Sequence, residues 1–158
     1  MESPERALQP RSDEGRVAEL IDKLRASGYR ITPQRVAILR ALVKSKAHPS
    51  ADEVYHDLLP AYPMLSPATV YKTINALKQL GEVLELQFRD GSNRYDVNTP
   101  APHPHLICRR CGKLVDLDDR GDDLNRFSAE ISTRTGYADV RYRLDFSGIC
   151  PTCQRKRG

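Results

Sequence analysis

Apolar positions recur with helical spacing through the first half of the chain. Val17, Leu20, Ile21 and Leu24 follow the i, i+3, i+4, i+7 pattern of one buried face, which predicts a helix over about 14–26, ended by Gly28. Val36, Leu39, Leu42 and Val43 supply the stripe of a second helix, opened by Thr32 as N-cap with Pro33 in its first turn and ending near Ser45. A third starts at Ser50, where Glu53 completes a capping box, and turns Ala51, Val54, Tyr55 and Leu58 inward. Ser66-Pro67 opens a fourth, closed by Gly81. The period then drops to two, and segments 83–88 and 93–97 read as a β-hairpin around Asp90-Gly91.

Pro100, Pro102 and Pro104 stiffen the next segment and mark a domain boundary. Beyond it, 106–108 and 113–117 read as strands joined through Cys-Arg-Arg-Cys-Gly. A helix over 122–133 carries Leu124, Phe127 and Ile131 inward, with Asp122 and Asp123 at its positive end. Val140, Tyr142, Leu144 and Phe146 alternate with Arg141, Arg143 and Asp145, predicting a final strand with one buried face. The fold class is α/β. The organisation is a disordered lead-in over 1–13, a winged helix-turn-helix over 14–97, a hinge over 98–104, a small metal-binding α/β domain over 105–153 and a basic tail over 154–158.

Charge sharpens the first half. The net charge of the 158 residues is only +4, yet residues 23–46 hold seven Lys or Arg and no acid. On the fourth helix, at roughly 100° per residue, Val70, Thr73, Ile74, Leu77 and Leu80 gather on one side. Ala68, Tyr71, Lys72, Asn75 and Gln79 gather on the other. That second face carries the donors, acceptor, cation and aromatic edge that suit a major groove, while Arg89 and Arg94 on the wing reach the DNA backbone. A solvated helix face is the plainer reading of the same residues. No apolar run approaches the roughly 20 residues a membrane span needs, and the first residues lack a secretory layout. The expected location is the cytoplasm, where four cysteines favour metal or redox chemistry over structural disulfides.

Cys108-x-x-Cys111 and Cys150-x-x-Cys153 are two knuckles able to aim four thiolates at one tetrahedral Zn²⁺, a closed and therefore structural site. Dithiol redox chemistry is the alternative. A second constellation is harder: His103 and His105 on an extended segment, Asp96 and Asp116 flanking them, and His48 from the first half. Such a donor set suits Fe²⁺ or Mn²⁺, with Zn²⁺ as a further option. His56, within the third helix, reads as a surface residue.

The run Arg30-Ile-Thr-Pro-Gln-Arg35, Ala47-His48-Pro-Ser-Ala51, Ala68-Thr-Val-Tyr71, Asn93-Arg-Tyr-Asp96, His103-x-His105-Leu-Ile-Cys108-x-x-Cys111-Gly and Gly148-Ile-Cys150-x-x-Cys153 resembles the ferric uptake regulator family over residues 15–153. The resemblance implies a bacterial, metal-dependent, homodimeric repressor with a C-terminal dimerisation domain. Its peroxide-stress branch uses three histidines and two aspartates, matched here by His48, Asp96, His103, His105 and Asp116. Iron-uptake members commonly carry glutamate where Asp116 stands, and many have a histidine where Arg141, Tyr142 and Arg143 lie. Both departures favour the peroxide branch.

The expected function is thus a repressor, not an enzyme, that binds a palindromic operator in double-stranded DNA as a homodimer. By the same resemblance, it is expected to sense peroxide through Fe²⁺-driven oxidation of His48 or His103. Neither a membrane nor a small organic substrate is expected. An iron-, manganese- or zinc-responsive uptake repressor is the rival within the fold. A zinc-dependent hydrolase or dithiol redox protein is the rival outside it.

Overall fold

The computed structural model describes residues 12–88, 91–117 and 121–156. The expectations for 1–11, for Arg89 and the Asp90 side of the hairpin turn, and for the tail residues 157–158 lie outside these. The chain divides into two compact units, 1–98 and 99–158. Among the described residues no helix is long and apolar enough to cross a membrane.

The first unit consists of α1 (Asp13–Ala26), α2 (Pro33–Lys44), α3 (Ala51–Leu58), α4 (Pro67–Gln79) and a hairpin of β1 (Leu84–Gln87) and β2 (Asn93–Asp96). Local chemistry sets the helix starts. Thr32, Ser50 and Ser66 each accept a backbone N–H three residues on, and Ser50 with Glu53 closes a reciprocal capping box. Ser12 does the same for Gly15 at 3.1 Å, so α1 begins at Asp13, inside the expected lead-in. Val17, Leu20, Leu24, Ile38, Leu39, Leu42, Val43, Val54, Val70, Ile74 and Leu77 form one core, each large side chain contributing about 1.5–3 kcal/mol. Ile38 takes the place expected of Val36, which is only half-buried. The hairpin runs antiparallel with Leu84 opposite Asp96 and Leu86 opposite Arg94. Short helices followed by this wing make a winged helix-turn-helix.

Arg16 is a buried cation that helical spacing does not announce. Its Nε donates to Val97 O at 2.8 Å and its Nη1 lies 3.0 Å from Glu82 Oε2. Lys23 joins at 2.7 Å from Glu82 and 3.0 Å from Glu19. The network ties α1 to the chain after α4 and to the residue that follows β2.

The second unit holds β3 (His105–Cys108), β4 (Leu114–Asp116), α5 (Gly121–Thr135), β5 (Asp145–Gly148) and α6 (Pro151–Arg155). Its sheet has the order β4-β3-β5, with β3–β4 antiparallel and β3–β5 parallel. The final strand is shorter than expected. The alternation of 140–144 is visible, since Val140, Tyr142 and Leu144 are half-buried and Arg141 and Arg143 exposed, but ladder pairing begins only at Asp145. Phe146 and Phe127, both expected inward, are 48% and 56% exposed. Among the described residues of α5 the buried one is Ser128, whose hydroxyl bonds back to Leu124 O at 2.9 Å.

Candidate metal centres and reading face

The parallel register that sets Cys108 beside Gly148 brings the two cysteine knuckles together. Gly112 takes φ +70 there, a conformation that glycine adopts at little cost, and its N–H returns to Cys108 O at 3.0 Å. Cys150 caps α6, with Pro151 in the first turn and Cys153 inside it. The four sulfurs lie within 4.8 Å of one another, and Cys111 Sγ is 3.7 Å from Cys150 Sγ. Four sulfurs about 2.3 Å from a tetrahedral Zn²⁺ stand about 3.8 Å apart, so the cluster fits that ion.

Backbone donors, first Cys111 and then Cys150 and Arg110, hold the Cys108 thiol down at about 6. Hydrogen bonds with Cys150 and Cys111 push Cys153 up to about 12. Such a spread is what four crowded thiols adopt, because like charges cannot all ionise side by side without a cation among them.

In the same unit, His103, His105 and Asp116 offer ligand atoms within 4.8 Å of one another. His103 Nε2 and His105 Nε2 lie 3.5 and 3.8 Å from Asp116 Oδ1. Strand pairing explains this convergence: His105 stands directly opposite Asp116 in the antiparallel ladder, so their side chains share a face. His103 is set by Nδ1, 2.9 Å from Ala101 O. A carbonyl only accepts, so Nδ1 carries a proton, and in the neutral imidazole Nε2 then turns its lone pair toward Asp116. Both histidines are buried, and a nitrogen and oxygen donor set of this kind suits a borderline or hard divalent cation.

Asp145 is the neighbour sequence reasoning passed over, having counted it only as a polar position of the last strand. It pairs with His105 from the other side of β3, its Oδ1 3.5 Å from His105 Nδ1. Alternation placed it on the polar face, but only the parallel register brings it to His105.

In the first unit, His48 is buried and adopts φ +50 immediately before Pro49. Left-handed backbone is costly for a residue with a Cβ. The turn is held by β2: Tyr95 N donates to Pro49 O at 3.1 Å, and Arg94 Nη1 to His48 O at 3.4 Å. His48 Nδ1 lies 3.9 Å from Asp96 Oδ1, and that oxygen accepts the N–H of Asn98 at 2.8 Å. The edge of the wing therefore fixes both side chains.

On α4, Ala68, Tyr71, Lys72, Asn75 and Gln79 are all exposed, opposite the buried Val70, Thr73, Ile74 and Leu77. Gln79 accepts a hydrogen bond from the Tyr29 hydroxyl at 2.5 Å. Arg94 sits differently from a strand-tip cation. Its guanidinium is 3.4 Å from Glu53 Oε2 and lies over the Phe88 ring at 5.3 Å, in addition to its bond with the His48 carbonyl. His56 is exposed.

Comparison with known proteins adds to this geometry. A sequence profile of the Ferric uptake regulator family matches residues 26–147. The peroxide-responsive repressor PerR of Staphylococcus aureus (strain USA300) is 41% identical over 150 residues, covering 95% of this chain and 99% of its own. Among solved structures, PerR from Streptococcus pyogenes, described for peroxide sensing and gene regulation, is similar at 35% identity and a TM-score of 0.50, covering 97% and 99%. The Campylobacter jejuni peroxide stress regulator is similar at 28% identity and a TM-score of 0.64, covering 86% and 98%.

Proposed function

The chain belongs to the ferric uptake regulator family, and on that premise we propose that it is a metal-dependent, peroxide-sensing transcriptional repressor that binds palindromic operator DNA as a homodimer. The observation that carries the reading is the convergence of His103, His105 and Asp116 on one face of the second unit's sheet. His48 and Asp96 of the winged helix complete this regulatory set, so that metal binding favours one arrangement of the two units by the difference in affinity between arrangements. Cys108, Cys111, Cys150 and Cys153 hold a structural Zn²⁺. As with its relatives, the role is that of a regulator rather than an enzyme, acting in the cytoplasm where the operator is.

The opposite face of the sheet supports dimerisation. Val115, Leu106 and Phe146 are lateral neighbours across β4-β3-β5, each 39–48% exposed, and form an apolar stripe. A second copy covers such a stripe by C₂ symmetry, which sets two α4 helices to read two half-sites. Ala68, Tyr71, Lys72 and Asn75 face the groove in this reading. The backbone contact expected of Arg89 belongs to the same reading. The inward engagement of Arg94 gives it a share in holding the His48 turn as well as any phosphate contact.

Fe²⁺ held by the His and Asp set would supply the redox chemistry that activates peroxide, while the imidazole itself gives up the two electrons of the net oxidation. His48 and His103 are the residues that take up the oxidation: a ring carbon gains one peroxide oxygen and the other oxygen leaves as water. An oxidised imidazole is a poor ligand, so the arrangement that binds DNA is lost. The test is operator binding by protein loaded with Fe²⁺, Mn²⁺ or Zn²⁺, with and without peroxide, followed by mass spectrometry. The expected result is peroxide-triggered release of the Fe²⁺ form alone, with one oxygen atom added to His48 or His103. Fe²⁺-dependent binding that ignores peroxide, with both histidines unmodified, would instead assign the chain to metal-uptake control.

A further inference from the structure

His105 is the central residue of a row. Asp116 on β4, His105 on β3 and Asp145 on β5 are direct register partners, antiparallel on one side and parallel on the other. The row presents carboxylate, imidazole, carboxylate on one face of the sheet. The two ring nitrogens divide between the acids: Nε2 is 3.8 Å from Asp116 Oδ1, and Nδ1 is 3.5 Å from Asp145 Oδ1. Asp145 is itself oriented, because its other oxygen, Oδ2, accepts from Arg143 Nε at 2.8 Å.

We infer that Asp145 is a positioning residue of the regulatory site: its Oδ1 accepts the Nδ1 proton of His105, fixing the tautomer in which Nε2 faces Asp116 and an incoming divalent cation. The inference rests on the regulatory-site reading above. A neutral imidazole carries one ring proton, and with an ionised carboxylate at each nitrogen the nearer one, Asp145, draws that proton to Nδ1, while Asp116 is shared with His103 and faces the lone pair of Nε2. The same end is reached at His103 by different means, with Ala101 O against Nδ1 and Nε2 toward Asp116. Two histidines thus present the same nitrogen to one carboxylate. One is held by a backbone carbonyl and the other by a side chain that substitution can remove. Partners of this kind raise the basicity of a ligand and spare it the cost of reorienting, and losing one weakens metal affinity about 10- to 100-fold.

The test uses the full-length, zinc-containing protein. Nitrogen-15 NMR at about pH 8, where an ordinary imidazole is neutral, reads the His105 tautomer without any added metal. Titration with Mn²⁺ reads the affinity. Wild type should show the Nδ1–H tautomer, and Asp145→Ala should shift His105 toward Nε2–H or a mixture while Mn²⁺ affinity falls about 10- to 100-fold. Asp145→Asn, which keeps the shape and can still accept through its amide oxygen, should fall between. Unchanged zinc content and circular dichroism would separate this loss from misfolding. A His105 tautomer indifferent to Asp145→Ala overturns the inference, and weaker Mn²⁺ binding beside that unchanged tautomer would make Asp145 a ligand instead. Asp116→Ala serves as the reference for the reading beneath: if it leaves Mn²⁺ affinity intact, the regulatory-site assignment fails, while the metal-free tautomer still decides the role of Asp145.

Discussion

Cys111 and Cys150 stand 39 residues apart in sequence, and their sulfurs lie 3.7 Å apart. One belongs to the turn between β3 and β4 and the other caps α6, so the contact joins the two ends of the second unit. Apparent zinc affinities in small Cys-rich folds amount to about 10–16 kcal/mol, comparable to or above a small domain's total stability of about 5–15 kcal/mol. Cys111→Ser, or removal of zinc by a chelator, should therefore unfold this unit and yield monomers. The core of α1 to α4 should persist, since no cysteine contributes to it. Zinc analysis, gel filtration and circular dichroism of the variant would check both halves of this expectation.

Arg16 anchors a second prediction. Its guanidinium is buried against Glu82 and the Val97 carbonyl, and removing one partner of a buried pair costs about 3–5 kcal/mol. Glu82→Gln should lower the stability of the winged helix by up to about that amount in urea unfolding, since Glu19 Oε2 still lies 3.1 Å from Arg16 Nη1. The same network gives a pH signature. The hydrogen bond that Lys23 donates to Glu19 is the chief cause lowering Glu19 below 4.5, and the one Lys23 donates to Glu82 is the chief cause raising Lys23 above 10.5. A lowered acid contributes stability above its unfolded pKa and loses it as pH falls through its folded pKa; a raised base loses its contribution as pH climbs through its folded pKa. The network's contribution should therefore hold across neutral pH, fade below 4.5 and fade again above 10.5, and Glu82→Gln should flatten the alkaline limb.

These two sites show what a sequence makes legible. The caps at Thr32, Ser50 and Ser66 are three-residue events, so the side chain that starts each helix and the backbone it satisfies lie within one short reading window. Cys-x-x-Cys is local in the same sense. Arg16 has a local partner in Glu19, as Arg25 has in Asp22, but the groups that bury it, Glu82 and Val97, are 66 and 81 residues away. Register is similarly non-local. The alternation of 140–146 specifies which side chains share a face, but where β5 begins to pair depends on β3, and that choice decides that Asp145 meets His105. Phe146 shows the same limit, because a stripe packed inside one chain and a stripe that faces a second copy have the same periodicity.

The α4 face gives a prediction that separates two kinds of contact. Lys72 and Asn75 are both exposed on the side away from the core. A lysine on phosphate adds affinity irrespective of sequence, so Lys72→Ala should weaken operator and random DNA alike and reduce the slope of log K against log salt by about 1. Asn75→Ala should cost about 1–3 kcal/mol on the operator and little on random DNA, because an amide reads a base edge. Fluorescence anisotropy over a salt series would separate the two, and equal losses from both variants would argue against base reading by Asn75.

Asp116 carries the last prediction. Its Oδ1 lies 3.5 and 3.8 Å from the Nε2 atoms of His103 and His105, so one short carboxylate sits between two imidazoles. Asp116→Glu keeps the charge and the oxygen donors and adds one methylene, which moves the carboxylate relative to both rings. The cation should still be held, because donor type and net charge are unchanged. Oxidation of an adjacent imidazole depends more steeply on geometry, since peroxide, metal and ring must meet within bonding reach. The variant should therefore repress normally with Mn²⁺ or Fe²⁺ and require more peroxide for release from DNA. Mass spectrometry should find less oxygen added to His48 and His103 at a given dose. Peroxide release and histidine oxidation equal to wild type would mean that the length of this side chain does not set sensitivity.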